Sequence, residues 1–161
     1  MSQQAISLLD MAFVASGAVT YGRAVNVIAP TVRGARTAAQ VSTSGGKAVG
    51  IARRSAASGE TFEATVMGSA VCEAGAAVSV GARVMVDATG RVVPATALTA
   101  SVGTLAIAAG ATAVTSAAAN GAGTVTGAPT LAGGDTPLFV FGTALEAATA
   151  AGDYIEVIVG N

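Results

Sequence analysis

The sequence predicts an all-β protein with an N-terminal arm and an inserted hairpin region. Short Val-rich runs alternate with Gly, Ser, Asn and Asp, which is typical of short strands joined by turns. A strand–loop–strand pattern also occurs twice, at 50–66 and at 142–159. Each copy passes through a small-residue loop to a glycine–acid pair and then enters a strand that carries a glutamate. Two similar strand pairs are what a small closed barrel needs.

The predicted strands are short apolar runs bounded by turn residues. The clearest hairpin turns at Asp87–Gly90, where an Asp side chain can accept hydrogen bonds and a glycine can adopt positive φ. Glu63 and Glu156 directly follow Phe62 and Ile155, so strict alternation places both glutamates outward. The predicted strands are 24–28, 47–52, 62–67, 83–87, 91–94, 138–143 and 154–159.

Two segments depart from this pattern. Residues 1–16 hold several large hydrophobic side chains, and we expect an arm there, either a short amphipathic helix or an extended segment, tied down onto its own domain or onto a neighbour. The stretch 92–134 contains no charged residue. We expect one or two Ala/Gly/Thr-rich β-hairpins at about 96–137, packed against another subunit, because a solvated loop this apolar would aggregate. Apart from the arm, 17–161 is predicted to be one β domain.

Composition excludes most catalytic chemistry. The chain has no histidine and a single cysteine, Cys72, so Ser-His-Asp and Cys-His catalysis are impossible. We expect Cys72 to be a small buried hydrophobic residue. Only carboxylates remain, and most fall in predicted turns or at outward positions. We therefore predict no enzyme activity, no cofactor and no metal site; the enzymatic alternative is a carboxylate-only hydrolase built on Glu60, Glu63 and Glu156.

Nucleotide, nucleic-acid and membrane binding are not predicted either. Ser44–Lys47 resembles the end of a P-loop, but Val41 stands at the position of the leading glycine and Ala48 at that of the magnesium-binding hydroxyl. The eight basic residues are spread along a chain of net charge −1, whereas phosphate contacts need clustered Lys and Arg. The most apolar stretch, 105–119, is Ala-rich and interrupted by Gly, Thr and Ser, so we expect no transmembrane segment. The chain start lacks a signal-peptide pattern, and we expect no secretion.

The core is expected to need support from other chains. Aromatic residues make up 4% of the chain, so Val, Ile, Leu and Ala must form the core, and small side chains bury little area each. We therefore expect further surface to be buried between subunits or against a partner.

Three segments resemble the tailed-phage capsid decoration proteins, also called cement or head-stabilising proteins. Residues 74–92 match the family's hairpin pattern aG-x-V-y-x-D-x-x-G-x-v, residues 141–157 match its closing strand pair, and residues 48–68 match its opening pattern. The resemblance covers about 17–95 and 138–161.

The resemblance implies a small β-barrel or β-tulip-like domain without catalytic residues. It also implies a homo-oligomer, with a trimer favoured over a dimer, made in the host cytoplasm and located on the capsid exterior of the virion. Its implied function is to bind the phage major capsid protein and to bridge neighbouring subunits. We expect the arm to add a strand to an exposed capsid edge. The expected contact residues are Ile6, Leu8, Leu9, Met11 and Phe13.

A carbohydrate-binding module of a fibre or adhesin is the alternative function. Sugar sites stack rings on exposed aromatic side chains, and only Tyr21, Tyr154 and four phenylalanines are available. This scarcity counts against the alternative, which a glycan array would test.

Overall fold

The computed structural model describes residues 5–30, 34–96 and 139–160, which lie in one compact unit. Over these residues the chain forms β-strands and no helix, which confirms the all-β prediction. The strands are β1 (Ser7–Ala15), β2 (Ala24–Ile28), β3 (Thr37–Gln40), β4 (Gly50–Ala52), β5 (Thr61–Glu73), β6 (Arg83–Val86), β7 (Val92–Pro94), β8 (Gly142–Ala144) and β9 (Tyr154–Val159).

The first five strands form a closed ring. The sheet order is β1-β3-β2-β4-β5-β9-β8-β6-β7, and β1 pairs with β5 as well as with β3. Phe13, Val25, Ala52 and Phe62 belong to the buried cluster of this ring, and the two phenylalanine rings lie 6.0 Å apart. The ring agrees with the small barrel that the sequence predicts.

The second half of the sheet repeats the arrangement of the first. The end of β5 pairs with β9, and β8, β6 and β7 follow in order. A parallel bridge between Ala74 and Val92 links the end of β5 to β7, as the parallel pairing of Ala15 with Ala38 links the end of β1 to β3. Strands β5 to β9 therefore correspond, one by one, to β1 to β5, and β5 belongs to both halves.

Loop hydrogen bonds show the same equivalence. Val19 and Ala56 exchange backbone bonds of 2.8 and 2.9 Å, and Val78 and Ala148 exchange two bonds of 2.9 Å. Ala56 and Ala148 lie in the two copies of the pattern that the sequence repeats. The repeat is thus part of a longer structural duplication.

The core of the second half includes residues of the first. Its buried cluster contains Cys72, Val84 and Ile155, together with Ala24 and Ile51 from the first ring. Alternate residues of β2 and β4 thus face the other half, since their neighbours Val25 and Ala52 fill the first ring.

The hairpin turn predicted at Asp87–Gly90 is confirmed. Oδ1 of Asp87 accepts hydrogen bonds from the backbone N–H groups of Thr89 and Arg91, at 2.7 and 2.9 Å. Its Oδ2 accepts a hydrogen bond from Nε of Arg91 at 2.9 Å. Gly90 has φ of 79°. Burial raises the pKa of Asp87, but the hydrogen bonds from Arg91 and Thr89 outweigh it and hold the pKa below its ordinary value.

The predicted strands correspond to β2 and to β4 through β9, with differences at their ends. β4 begins later than predicted and β8 is shifted towards the C-terminus, while β5 continues to Glu73. β3 was missed because its sequence, TAAQ, contains no large apolar residue. The described part of the arm is neither helical nor detached, since β1 pairs with β5 from Ser7 to Val14.

The insertion at about 96–137 falls between β7 and β8 and lies almost wholly outside the described residues. The hairpins expected there and the division of the chain at residue 16 stay predictions.

Candidate interaction surface

The structure separates the five predicted contact residues of the arm into two groups. Phe13 is buried inside the first ring, and Met11 packs against the same cluster. Ile6, Leu8 and Leu9 are exposed by 64%, 74% and 46%. Phe13 and Met11 therefore anchor β1 in its own sheet, whereas the other three side chains are accessible to a partner.

Two more exposed apolar residues lie beside these three. Met67 is directly opposite Leu9 in the β1–β5 register, and Ile158 is directly opposite Ser69 in the β5–β9 register. Ser69 also joins Ile6, because its N–H donates to the Ile6 carbonyl and its Oγ accepts the Ile6 N–H, both at 2.9 Å. We define the terminal apolar cluster as Ile6, Leu8, Leu9, Met67 and Ile158.

Gly68 lies at the centre of this cluster and brings its strands together. Its φ is 111°, and a Cβ at this position would lie 2.4 Å from the carbonyl oxygen of Ile6 and 2.7 Å from the amide nitrogen of Leu8. On its two sides Gly68 pairs with Ser7 and Val159. Only glycine permits both this backbone conformation and this close approach.

A polar network fixes the start of β1 next to the cluster. Asp10 accepts hydrogen bonds from Ser7 Oγ at 2.9 Å and from Thr65 Oγ1 at 2.8 Å, and it pairs with Arg53. Burial raises the pKa of Asp10, but the bonds from Thr65, Ser7 and Arg53 outweigh it and the pKa is lowered. The network therefore links β1 to β5 and to the residue that follows β4.

Within the described residues, one edge of β1 is largely without a strand partner. β5 occupies one side of β1 from Ser7 to Val14, while β3 pairs on the other side at Val14 and Ala15. Unpaired N–H and C=O groups on such an edge can accept a strand from another chain. The exposed cluster thus adjoins a backbone edge that, before Val14, no described strand pairs with.

The three carboxylates of the hydrolase alternative do not come together at one place. Glu60 accepts the N–H of Ala57 at 2.8 Å in its own loop, and Glu156 pairs with Val71, eight positions along β5 from Glu63. The described residues contain no group of three side chains able to hold a metal ion. These three carboxylates therefore give the hydrolase alternative no support.

The remaining sequence motifs serve the fold. The N–H of Gly45 donates to the carbonyl of Val86, and that of Gly46 donates to the carbonyl of Thr43. These two backbone donors of the P-loop-like segment are therefore already bonded within the protein. Cys72 is buried as predicted, and burial raises the pKa of its thiol. Among the described residues there is no helix that could cross a membrane.

Met67 and Ile158 were not among the contact residues predicted from the sequence. A signal for Ile158 was present, because it stands between Val157 and Val159, which are both buried, and period-2 alternation turns it outward. Alternation cannot predict that Ile158 lies near Ile6. The two are brought together by Ser69, which pairs with Ile158 and bonds to Ile6, 63 positions away in the chain.

These features describe an all-β protein with a cluster of exposed apolar residues at one end of its described sheet. The model of the phage cement protein family matches residues 3–128, so the chain belongs to this family. No curated protein matches the chain. Among solved structures, it is similar to the N base of the head fiber gp8.5 of bacteriophage phi29, with a TM-score of 0.58 and 14% identity over 94% of this chain and 93% of that chain.

Family membership confirms the resemblance found in the sequence. It gives the protein a structural role in association with the phage capsid and a location in the virion. A structural family is also consistent with the prediction that the protein is not an enzyme. The similarity to the phi29 head fiber base, at this identity, is a similarity of fold.

Proposed function

We propose that this protein cements the phage head by binding its outer surface and bridging neighbouring major capsid subunits. The observation that carries the proposal is the terminal apolar cluster, whose five members lie outside both buried core clusters. Fully burying a Leu, Ile or Met side chain contributes about 1.5–3 kcal/mol. Even partial burial of this cluster would supply much of the affinity of a protein–protein contact.

The duplication supports a function for this apolar surface beyond the fold. Because β1 and β5 correspond to β5 and β9, the pair Asp10–Thr65 occupies in the first half the place that Ser69–Ile158 occupies in the second. The first half folds with polar residues there. An exposed isoleucine at the equivalent position is therefore not a requirement of the strand pairing.

The exposed edge of β1 supports a defined mode of contact. A strand of a capsid subunit can pair with this edge through backbone hydrogen bonds, while Leu8 and Leu9 pack against its side chains. Backbone pairing gives affinity with few special side chains, which suits a chain with 11% charged residues. In this arrangement β1 keeps its pairing with β5 and receives a capsid strand on its other side.

Bridging requires more than one contact per particle of cement protein, and we propose a homotrimer. Three chains related by a symmetry axis present three terminal apolar clusters, which can bind neighbouring capsid subunits at the same time. Light scattering of the purified protein is expected to give about three times the chain mass of 15.3 kDa. A mass equal to one chain at micromolar concentration would contradict the trimer.

Capsid pelleting tests the binding surface. Expanded heads of the phage that encodes this chain are mixed with wild-type protein, with the double variant Leu8→Ser/Met67→Ser, and with Val27→Ser. Val27 is a matched control because it is 55% exposed on β2, outside the cluster. We expect wild type and Val27→Ser to pellet with the heads, and the double variant to remain largely in the supernatant.

Two outcomes would contradict the proposal. If wild-type protein stays in the supernatant at all concentrations, the protein does not bind expanded heads. If the double variant, shown by circular dichroism to be folded, pellets as well as wild type, the cluster is not the binding surface.

A further inference from the structure

We infer that Tyr21 and Tyr154 form a second binding site, which shares no residue with the terminal apolar cluster, for an uncharged saccharide. Their rings are stacked with centroids 5.8 Å apart and planes inclined by 28°. The two residues are 40% and 43% exposed. They are the only tyrosines, and the chain has no tryptophan or histidine. Both aromatic side chains that can form hydrogen bonds therefore lie at one place on the surface.

The equivalent positions of the duplicated fold hold no aromatic residue. Tyr21 precedes Gly22, and the equivalent residue of the second half is Val80, which precedes Gly81; the two glycines have φ of 74° and 77°. Tyr154 is the first residue of β9, and the first residue of the equivalent β5 is Thr61. Valine and threonine thus occupy the equivalent positions, so the duplicated strands and turns do not by themselves call for two aromatic residues.

The backbone beneath the pair is shaped to accept an aromatic ring. A Cβ on Gly22 would lie 3.0 Å from Cε1 of Tyr154 and 3.3 Å from the amide nitrogen of Glu73. The missing side chain therefore lets the Tyr154 ring lie against the loop that carries Tyr21. The pair is held in place by the loop and by the β5–β9 pairing of Tyr154 with Glu73.

A depression of about 210 Å³ is lined by one member of the pair, Tyr21, together with Arg53, Thr65 and Val71, and Tyr154 lies outside its lining. Arg53 is paired with a carboxylate, yet half of its side chain surface is exposed. The depression thus combines one aromatic ring, an apolar side chain and guanidinium donors, which is a mixture found in small-molecule sites.

The charges around the pair favour a neutral ligand rich in hydroxyl groups. Arg23 binds Glu73 through two bonds of 2.9 and 3.1 Å, and Arg53 pairs with Asp10. Both guanidinium groups are therefore already paired with a carboxylate, so they offer an anionic ligand little further attraction. A pyranose can place its C–H face, which is electropositive, on the electronegative face of a tyrosine ring, while its hydroxyls bond to guanidinium and carboxylate groups.

Tyrosine fluorescence of the whole protein tests this inference directly, because both emitting residues belong to the site. The probes are the methyl glycosides of glucose, galactose, mannose and N-acetylglucosamine. We expect a saturable change for at least one probe, with a dissociation constant in the millimolar range or below. Saturation-transfer NMR of the same mixtures should show the glycoside ring protons in contact with the protein.

Three variants locate the site. Tyr21→Ala should weaken binding at least about tenfold, Tyr21→Phe should retain most of it, and Val80→Ala, the matched control in the second half, should bind as wild type. NMR is used for all variants, so that loss of an emitting tyrosine does not obscure the result. Circular dichroism establishes that each variant is folded.

The inference is overturned if no glycoside gives a saturable change or an NMR transfer signal, or if folded Tyr21→Ala binds as wild type. It is also overturned if Tyr21→Ala reduces capsid pelleting while no saccharide binds, because the tyrosines would then belong to the capsid contact. The saccharide experiment uses no capsids, so its failure is distinguishable from failure of the proposed cement function.

Discussion

Replacing Gly68 by alanine should detach the start of β1 and destabilise the protein. A φ of 111° costs a residue with a Cβ about 1–2 kcal/mol. The new Cβ would also lie 2.4 Å from the Ile6 carbonyl oxygen, so Ile6 must move away from Ser69. That movement breaks the two 2.9 Å bonds between them, each worth about 1 kcal/mol. We expect a total loss of about 3–4 kcal/mol.

Gly152→Ala is the matched control for this experiment. Gly152 also has positive φ, 94°, but nothing lies within 4 Å of the position that its Cβ would occupy. Alanine there should cost only the conformational term, about 1–2 kcal/mol. The two variants should therefore differ by about 2 kcal/mol, and the difference measures the close contact between β1 and β5.

Urea unfolding followed by far-UV circular dichroism measures both free energies. With a denaturant slope of about 1–3 kcal/mol per molar urea, a difference of 2 kcal/mol separates the two midpoints by roughly 1 M. Gly68→Ala should also pellet poorly with expanded heads, since Ile6 and Leu8 lose their positions, whereas Gly152→Ala should pellet as wild type. If Gly68→Ala is as stable as Gly152→Ala, the reasoning about the close contact is wrong.

Three further predictions concern ionisable groups of the core and the turns. The pKa of Asp87 in the folded protein is below its ordinary value of 3.8. The stability that the Asp87 carboxylate contributes is therefore complete above pH 3.8 and is lost as pH falls through the folded pKa. Asp87→Asn should reduce the free energy of unfolding at pH 7 by about 1 kcal/mol and make it depend less on pH in the acid range, as urea unfolding at several pH values would show. Cys72, whose pKa burial raises, should react with Ellman's reagent only after unfolding, and rapid reaction of native protein would show that the core is open. Arg23→Ala should lower the free energy of unfolding, measured in urea, by about 1–3 kcal/mol, because the Glu73 side chain is only 12% exposed and loses a bidentate partner. Arg83 is exposed, so Arg83→Ala is the control and should change this free energy little.

The sequence predicts the strands with strong local signals and fails where pairing is remote. The repeat at 50–66 and 142–159 is visible because its glycine–acid corners and apolar strands recur. The duplication extends further back, to 18–25 (AVTYGRAV) and 77–84 (AVSVGARV), where the alanine–valine pair, the glycine and the closing valine also recur. This part of the repeat is short and was not recognised in the sequence, and the hydrogen bonds of the loops establish it.

The candidate surface was predicted in part for the same reason. The apolar character of Ile6, Leu8 and Leu9 is local and was recognised. Their neighbours Met67 and Ile158 join them through pairing of β1 with β5 and of β5 with β9, contacts that link distant parts of the chain. The glycine that brings these strands together has no local signature in the sequence.

Electron cryo-microscopy of expanded heads decorated with this protein tests the central claim most directly. Fitting the structure into the density shows which residues face the capsid. We expect the terminal apolar cluster to be buried against major capsid subunits, with each cement particle contacting at least two of them on the outer surface. Density that leaves Leu8, Met67 and Ile158 in solvent, or that places each particle on a single subunit, would contradict the account.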